Sequence, residues 1–238
     1  MTGQALPKER PDAVTKAYLG LRELIVRGTI SPGTPLIERR MAEVVGVSRT
    51  TVRNALQRLS HEGFVTISGI GASYSRFFVG PLTINDMVEW YYLFGALDGI
   101  AARRASELPR ERRRTLAQRV RGLATEHLEA GTGANPHFEK IQEKDALLHG
   151  TYVEAGGGPR LLQEYSLLRP HVERYGRFYA TALIRELPLE VFHEHIAIAE
   201  ALDAGDPDAA ESAAVANWRN ASERFARVMG EWGERGNW

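Results

Sequence analysis

The feature that most constrains this chain is a four-residue joint, Val45-Gly46-Val47-Ser48, between two segments of helical periodicity. Residues 37–45 place Met41, Ala42 and Val45 on one face of a short helix. Gly46 follows where a helix end calls for a left-handed residue, and Ser48 caps a new helix two residues later. That helix turns Val52, Ala55, Leu56 and Leu59 inward at i, i+3, i+4 and i+7. Its outer face is left with Arg49, Thr50, Thr51, Arg53, Asn54, Gln57 and Arg58. These side-chain types read base edges and phosphates in a major groove. No acid occurs from residue 44 to 59. Two helices across a tight glycine turn form a helix-turn-helix, whose second helix enters the groove by its N-terminal end.

The flanks complete that unit. Val14, Tyr18, Leu21 and Ile25 recur at helical spacing over residues 12–28, and Ser31-Pro32-Gly33-Thr34-Pro35 reads as a turn. Gly63 ends the recognition helix. Residues 64–79 alternate around Ser68-Gly69-Ile70-Gly71, the pattern of a two-stranded hairpin. Charge follows the same division. Residues 1–80 hold 11 Lys/Arg and 6 Asp/Glu, a net of +5, whereas residues 81–238 hold 19 and 24, a net of −5. A basic piece joined to an acidic one suggests an anionic partner for the first.

The remainder is helical. Thr83 and Asp86 give a capping-box-like start to a helix reaching about residue 106, and further helices are expected over 109–130, 136–155, 159–185, 188–204 and 207–232. Pro136 and Pro207 fall at first-turn positions after Asn135 and Asp206. The expected fold is therefore mainly α. A winged helix-turn-helix with a small β-hairpin spans residues 11–80, and an all-α antiparallel bundle of about six helices spans 81–235. With 43% hydrophobic residues over 238 positions, the chain can bury a core in each. The absence of cysteine excludes disulfides, thiolate metal sites and a cysteine nucleophile. No apolar run reaches membrane-spanning length and residues 1–11 lack a signal-peptide core, so a cytoplasmic protein with no membrane partner is expected and its first ten residues read as a leader.

Residues 21–72 carry an I-x-x-G-x-x-x-P-G turn, the helix GVSRTTVRNALQRL and an EGFV exit into a glycine-bearing wing. This stretch resembles the DNA-binding domain of GntR-type bacterial transcription regulators. The resemblance implies DNA contacts by Arg39, Arg49 and Arg53, with Thr50 and Thr51 beside them and Gly71 as the wing glycine. Where relatives usually carry Pro-Val-Arg-Glu-Ala, this chain has Thr51-Val52-Arg53-Asn54-Ala55, which removes an acid from the reading surface. Arg40 and Arg76 are lesser candidates for phosphate contact.

The helical part is similar to the FCD ligand-sensing domain of the FadR subfamily, through KDALLHGTYVEAGG and HEHIAIAEALDAGDPDAAESAAVANW. Asp145 and His149 stand at i, i+4 on one helix face. His193 and His195 point about 200° apart, and the register of Ile196, Ala199 and Leu202 selects His195 as the inward one. Metal-binding relatives use an aspartate and three histidines at these places. The last histidine corresponds here to Asn217, a weak donor to a transition metal. Asp145, His149, His195 and Asn217 are thus compatible with one divalent ion, Zn or Ni, or with a hydrogen-bonded polar cluster that holds none.

Many relatives place an arginine four residues before the acid of the first bundle helix; here Phe94 stands four before Asp98. That substitution disfavours a dicarboxylate or sugar-acid effector. Trp90, Tyr91 and Phe94, with Tyr175, Phe178 and Tyr179, could line an apolar pocket or form core. Arg174 or Arg169 could supply a replacement charge, although exposure is the commoner fate of arginine. The function expected is a ligand-responsive transcription regulator, a repressor, that binds a pseudo-palindromic operator in double-stranded DNA as a homodimer and is not an enzyme. The alternatives are a metal-dependent enzyme built on Asp145, His149 and His195, and a constitutive DNA-binding protein without an effector.

Overall fold

The computed structural model describes residues 12–68, 76–132, 136, 138–183 and 188–236. It contains two compact units, one of residues 1–81 with 235–238 and one of residues 82–234.

The first unit packs α1 (Ala13–Val26), α2 (Glu38–Val45) and α3 (Arg49–His61) against strands β1 (Val65–Ser68) and β2 (Arg76–Val79). Asp12 caps α1 by accepting from Thr15 N at 2.8 Å. Gly46 ends α2 at φ 69°, a conformation that costs glycine nothing, and Ser48 Oγ caps α3 by accepting from Thr51 N at 3.1 Å. Tyr18, Leu21, Ile25, Leu36, Met41, Val52, Ala55, Leu56, Leu59, Phe64, Phe77 and Val79 form one core. Residues 69–75, including Gly71, lie outside the described residues.

The hairpin is antiparallel, with Val65 opposite Val79 and Ser68 opposite Arg76. The segment read as a turn at Ser31–Pro35 does more than turn. Gly33 N donates to Val79 O, Val79 N to Thr34 O, and Leu36 N to Phe77 O, at 2.8–3.0 Å. It therefore lines the free edge of β2, and Pro35 is tolerated there because an edge position needs no N–H. Alternation could not reveal this short segment between two prolines.

The second unit contains α4 (Ile84–Ser106), α5 (Arg110–Thr132), α6 (Phe138–Gly156), α7 (Pro159–Leu183), α8 (Pro188–Ala204) and α9 (Pro207–Trp232). Thr83 and Asp206 cap α4 and α9 through their side-chain oxygens, and Pro207 occupies the first turn of α9. Pro136 precedes α6 rather than occupying its first turn, a correction to the expected boundary; Asn135 and residues 184–187 are outside the described set.

α4 runs through the middle of this unit, packed on α6, α7, α8 and α9. Paired contacts fix its direction against α9: Met87 meets Ser222, Asp98 meets Trp218, and Arg103 meets Asp208 and Glu211, so the helices are antiparallel. α7 also opposes α4, since Asp86 meets Tyr175, Trp90 stacks on His171, and Phe94 stacks on Tyr165. α4 and α9 approach closely at Gly95, where a Cβ would lie 2.8 Å from the Cβ of Trp218. No described helix is long and apolar enough to cross a membrane.

Candidate functional sites: a cationic helix tip and a buried histidine cluster

The N-terminal end of α3 is a solvent-facing cationic surface. The Arg49 and Arg53 side chains are 69% and 59% exposed, and Arg39, Arg40 and Thr50 are exposed beside them. Arg53 is not idle, because it forms a two-pronged pair with Glu38 (Nε–Oε1 2.7 Å, Nη2–Oε2 3.2 Å). Arg49 Nη2 stands 4.0 Å from the same carboxylate. Glu38 opens α2, and its spacing from Arg53 in sequence hid the contact. Thr51 is half-buried, with its hydroxyl 2.7 Å from Ser48 Oγ, so part of its bonding capacity is committed to the cap.

Arg58 departs from the expected reading face. Its guanidinium lies 3.7 Å from the Tyr18 ring centroid, and its Nε donates to Glu62 at 3.1 Å. Tyr18 itself donates to Glu62 at 2.6 Å. Arg58 therefore braces α3 against α1 by a cation–π contact, at the end of α3 remote from Arg49.

In the second unit, Asp145, His149 and His195 come together from α6 and α8, with one potential ligand atom from each lying within 4.8 Å of the others. Asp145 Oδ1 faces both imidazoles, 3.8 Å from His149 Nε2 and 3.5 Å from His195 Nε2. His195 is fully buried and His193 exposed, as the periodicity requires. Neither ring nitrogen of His195 has a hydrogen-bond partner among the described residues. Burial would raise the Asp145 pKa, but the surrounding imidazoles, His195 first, outweigh it and hold the carboxyl well below its ordinary range.

Asp98, absent from the expected site, anchors this cluster. It is fully buried on α4, where its Oδ2 accepts from Trp218 Nε1 at 3.0 Å, from His149 Nδ1 at 2.9 Å and from the Tyr152 hydroxyl. Burial opposes a charged His149 ring, yet Asp98 more than compensates and raises its pKa. A carboxylate on Nδ1 is the outer partner that orients a metal-ligating histidine and leaves Nε2 to the ion. Two inward imidazoles, an ionised carboxylate and unpartnered buried ring nitrogens fit a borderline transition ion such as Zn or Ni.

Asn217 is buried, but its amide donates to Glu194 at 2.9 Å. Glu194 also accepts from Asn220 at 2.9 Å and from both terminal nitrogens of Arg224 at 2.7 and 2.9 Å. Asn217 makes no hydrogen bond to Asp145, His149 or His195. Its neighbours have turned the fourth ligand position into part of an ion-pair network. A further histidine escaped the sequence reading. His127 of α5 is 9% exposed, and its ring stands edge-on to that of His195 with centroids 5.2 Å apart. Burial pushes its pKa down to about 4, so the ring is neutral at pH 7. Its signal was its place on the apolar stripe Val120, Leu123, Ala124, His127.

The aromatic residues divide between two seams. Trp90 is stacked on His171 of α7, at 3.9 Å and 7°. Tyr91 faces α9, between Trp218 and Phe225. Phe94 is 2% exposed, stacked on Tyr165 at 4.3 Å and edge-on to Trp218 at 4.7 Å, so it fills the space between α4, α7 and α9. Arg174 is not exposed, contrary to expectation. It is 3% accessible, and burial lowers its pKa to about 10 against the opposing effect of Tyr175 and Asp86. The guanidinium whose charge reaches Asp145, His149 and Tyr165 belongs instead to Arg169, which pairs with Glu173 at 2.7 Å.

Comparison with known proteins agrees with both units. Residues 13–73 match bacterial regulatory proteins of the gntR family, and residues 89–220 match the FCD domain. The probable D-xylose utilization operon transcriptional repressor of Paenarthrobacter nicotinovorans is 29% identical over 194 residues, 79% of this chain and 78% of that protein. The fatty acid metabolism regulator of Enterobacter sp. (strain 638) is 48% identical over 46 residues, 19% of each chain. Among solved structures, Escherichia coli McbR/YncC superposes with a TM-score of 0.65 at 17% identity, covering 94% of this chain and all of that one. A GntR transcriptional regulator from Rhodococcus sp. RHA1 gives 0.66 at 19% identity, covering 92% and 99%. With a reading helix in one unit and a sensing domain in the other, the chain belongs to the GntR family of bacterial transcription regulators that carry an FCD domain, and it is not an enzyme.

Proposed function

We propose that this regulator is a repressor that binds a pseudo-palindromic operator as a homodimer and leaves it when a small molecule enters the metal-organised cluster of the FCD domain. The observation that carries the reading is the solvent-exposed arginine tip of α3, where Arg49 and Arg53 face outward although Arg53 is paired with Glu38. Arg49 and Arg53 would read base edges in the major groove, with Arg39 and Thr50 on the backbone and Gly71 in the wing at the minor groove. Homodimerisation is supported by Tyr92, Leu93 and Ile100 of α4. They form an apolar stripe 43–54% exposed on a central helix, which a second copy would cover.

Asp145, His149 and His195 would hold Zn or Ni, with Asp98 fixing the His149 ring. The ion would supply Lewis-acid anchoring for an effector's oxygen atoms. Arg169 is the nearby charge suited to an anionic group, whereas Phe94 is closed off by its packing against Tyr165 and Trp218. An effector shifts operator occupancy only if it binds the DNA-competent and incompetent states unequally.

Selection of operator fragments from random DNA, followed by binding assays with and without chelator and metabolites, tests the proposal. A two-fold symmetric site, two chains per duplex and release by at least one metabolite are expected. Unchanged operator affinity across metals and metabolites would make the protein a constitutive binder.

A further inference from the structure

We propose that His127 of α5 is the fourth protein ligand of the cluster, in place of the histidine that Asn217 does not supply. The inference rests on the metal reading above and extends it to a helix from which no ligand was expected. Three observations carry it. First, Asn217 is tied to Glu194, itself held by Asn220 and by both terminal nitrogens of Arg224, so moving it toward the cluster would disrupt that network. Second, His127 Nδ1 is buried and has no hydrogen-bond partner among the described residues. A sealed imidazole nitrogen without a partner is costly in a native interior and calls for an occupant. Third, His195 is edge-on to both of the other rings, with centroids 5.2 Å from His127 and 5.5 Å from His149 and interplanar angles of 82° and 79°.

The donor set then becomes one carboxylate and three imidazoles drawn from α5, α6 and α8. It has the composition of the set found in metal-binding relatives, with one histidine moved from α9 to α5. His127 lies outside the tight group formed by Asp145, His149 and His195, so ion binding would draw its ring inward. Such a site would clamp α5 to α6 and α8 and leave α9 outside the coordination shell.

The experiment uses the full chain, stripped of metal with chelator and titrated calorimetrically with Zn²⁺ and Ni²⁺, together with X-ray absorption of the loaded protein. Wild type is expected to bind one ion with three imidazoles in its shell. H127A and H127L should bind at least tenfold more weakly and show two imidazoles, while N217A keeps wild-type affinity and three imidazoles. The two substitutions at residue 127, one leaving space and one refilling it, separate ligand loss from a packing defect, provided the metal-free variants melt with wild type. If wild type shows two imidazoles, or if the residue 127 variants bind within threefold of wild type, His127 is not a ligand although the metal site stands. If wild type binds neither ion, the metal reading itself fails and this inference falls with it.

Discussion

The two units carry function in opposite ways. In the first, the side chains suited to DNA are exposed on α2 and α3, and Arg53 pairs there with Glu38. In the second, His149 and His195 are buried beside a partly exposed Asp145 on α6 and α8, and the His149 ring is held by the Asp98 carboxylate of α4. A surface reader must exchange water for DNA and so pays little for its exposure before binding. A sensor cluster must be preorganised, so its polar groups depend on one another. Substitutions in the two regions should therefore fail differently: those at the α3 tip should lose affinity while keeping stability, and loss of the shared Asp98 carboxylate should cost stability along with binding.

Asp98 should show the largest effect. Asp98→Ala removes the acceptor shared by Trp218, His149 and Tyr152 and leaves those donors buried. The expected loss is about 3–5 kcal/mol, the range for breaking a buried charge pair on one side. Urea unfolding followed by tryptophan fluorescence would report it well, because Trp218 sits on that carboxylate. A loss below 1 kcal/mol would mean the network is not the scaffold of the cluster.

Metal comes next. An ion present at one hundred times its dissociation constant should stabilise the sensing unit by about 2.7 kcal/mol, provided the unfolded chain does not bind it. Thermal unfolding with Zn²⁺, Ni²⁺ or chelator checks this, and His149→Ala should abolish the shift. A shift that survived in His149→Ala would place the ion elsewhere.

Arg49→Ala and Arg53→Ala should each cost about 1–3 kcal/mol in operator binding, the worth of one bidentate base contact, with little change in melting temperature. Fluorescence anisotropy on operator and on scrambled duplex, each over a salt series, distinguishes base reading from phosphate contact. An equal loss on both duplexes, with a reduced salt slope, would assign the residue to the backbone.

The same contrast explains what could be read from the sequence. The α3 tip is contiguous, so a capping serine, a left-handed glycine and four inward apolar residues sufficed to place Arg49, Thr50 and Arg53 outside. Sequence proximity fails where a partner lies elsewhere: helical register alone puts Arg58 on the reading face, but Tyr18 of α1 lies beneath it, and Glu38 reaches Arg53 from fifteen positions away. In the bundle, i, i+4 spacing joined Asp145 to His149, and helical register turned His195 inward. Nothing local could show that Asp98 meets His149 across 51 positions, or that His127 meets His195 across two helices. Arg174 runs against the usual exposure of arginine, being enclosed beside Tyr175 and Asp86. The edge segment at Gly33–Leu36 was hidden because its pairing depends on β2, more than forty residues later.

Glu38 gives the smallest expected effect and the finest test of the comparison. Its carboxylate holds Arg53 in the free protein, but the pair is solvent-exposed on the arginine side, where such bridges are worth about 0–1 kcal/mol. Glu38→Gln should therefore leave the melting temperature within about 2 °C of wild type, a shift smaller than 1 kcal/mol would produce in a small domain. It also removes a negative charge from beside Arg49 and Arg53, so binding to unrelated duplex should strengthen about two- to fivefold at low salt, with the gain fading as salt is raised. If Glu38 only repels phosphate, operator and unrelated DNA gain alike. If it also aims the Arg53 guanidinium, the operator gains less than unrelated DNA, and the ratio of the two affinities falls. A fall in stability greater than 2 kcal/mol would contradict the contrast itself, because it would make this exposed tip as interdependent as the buried cluster.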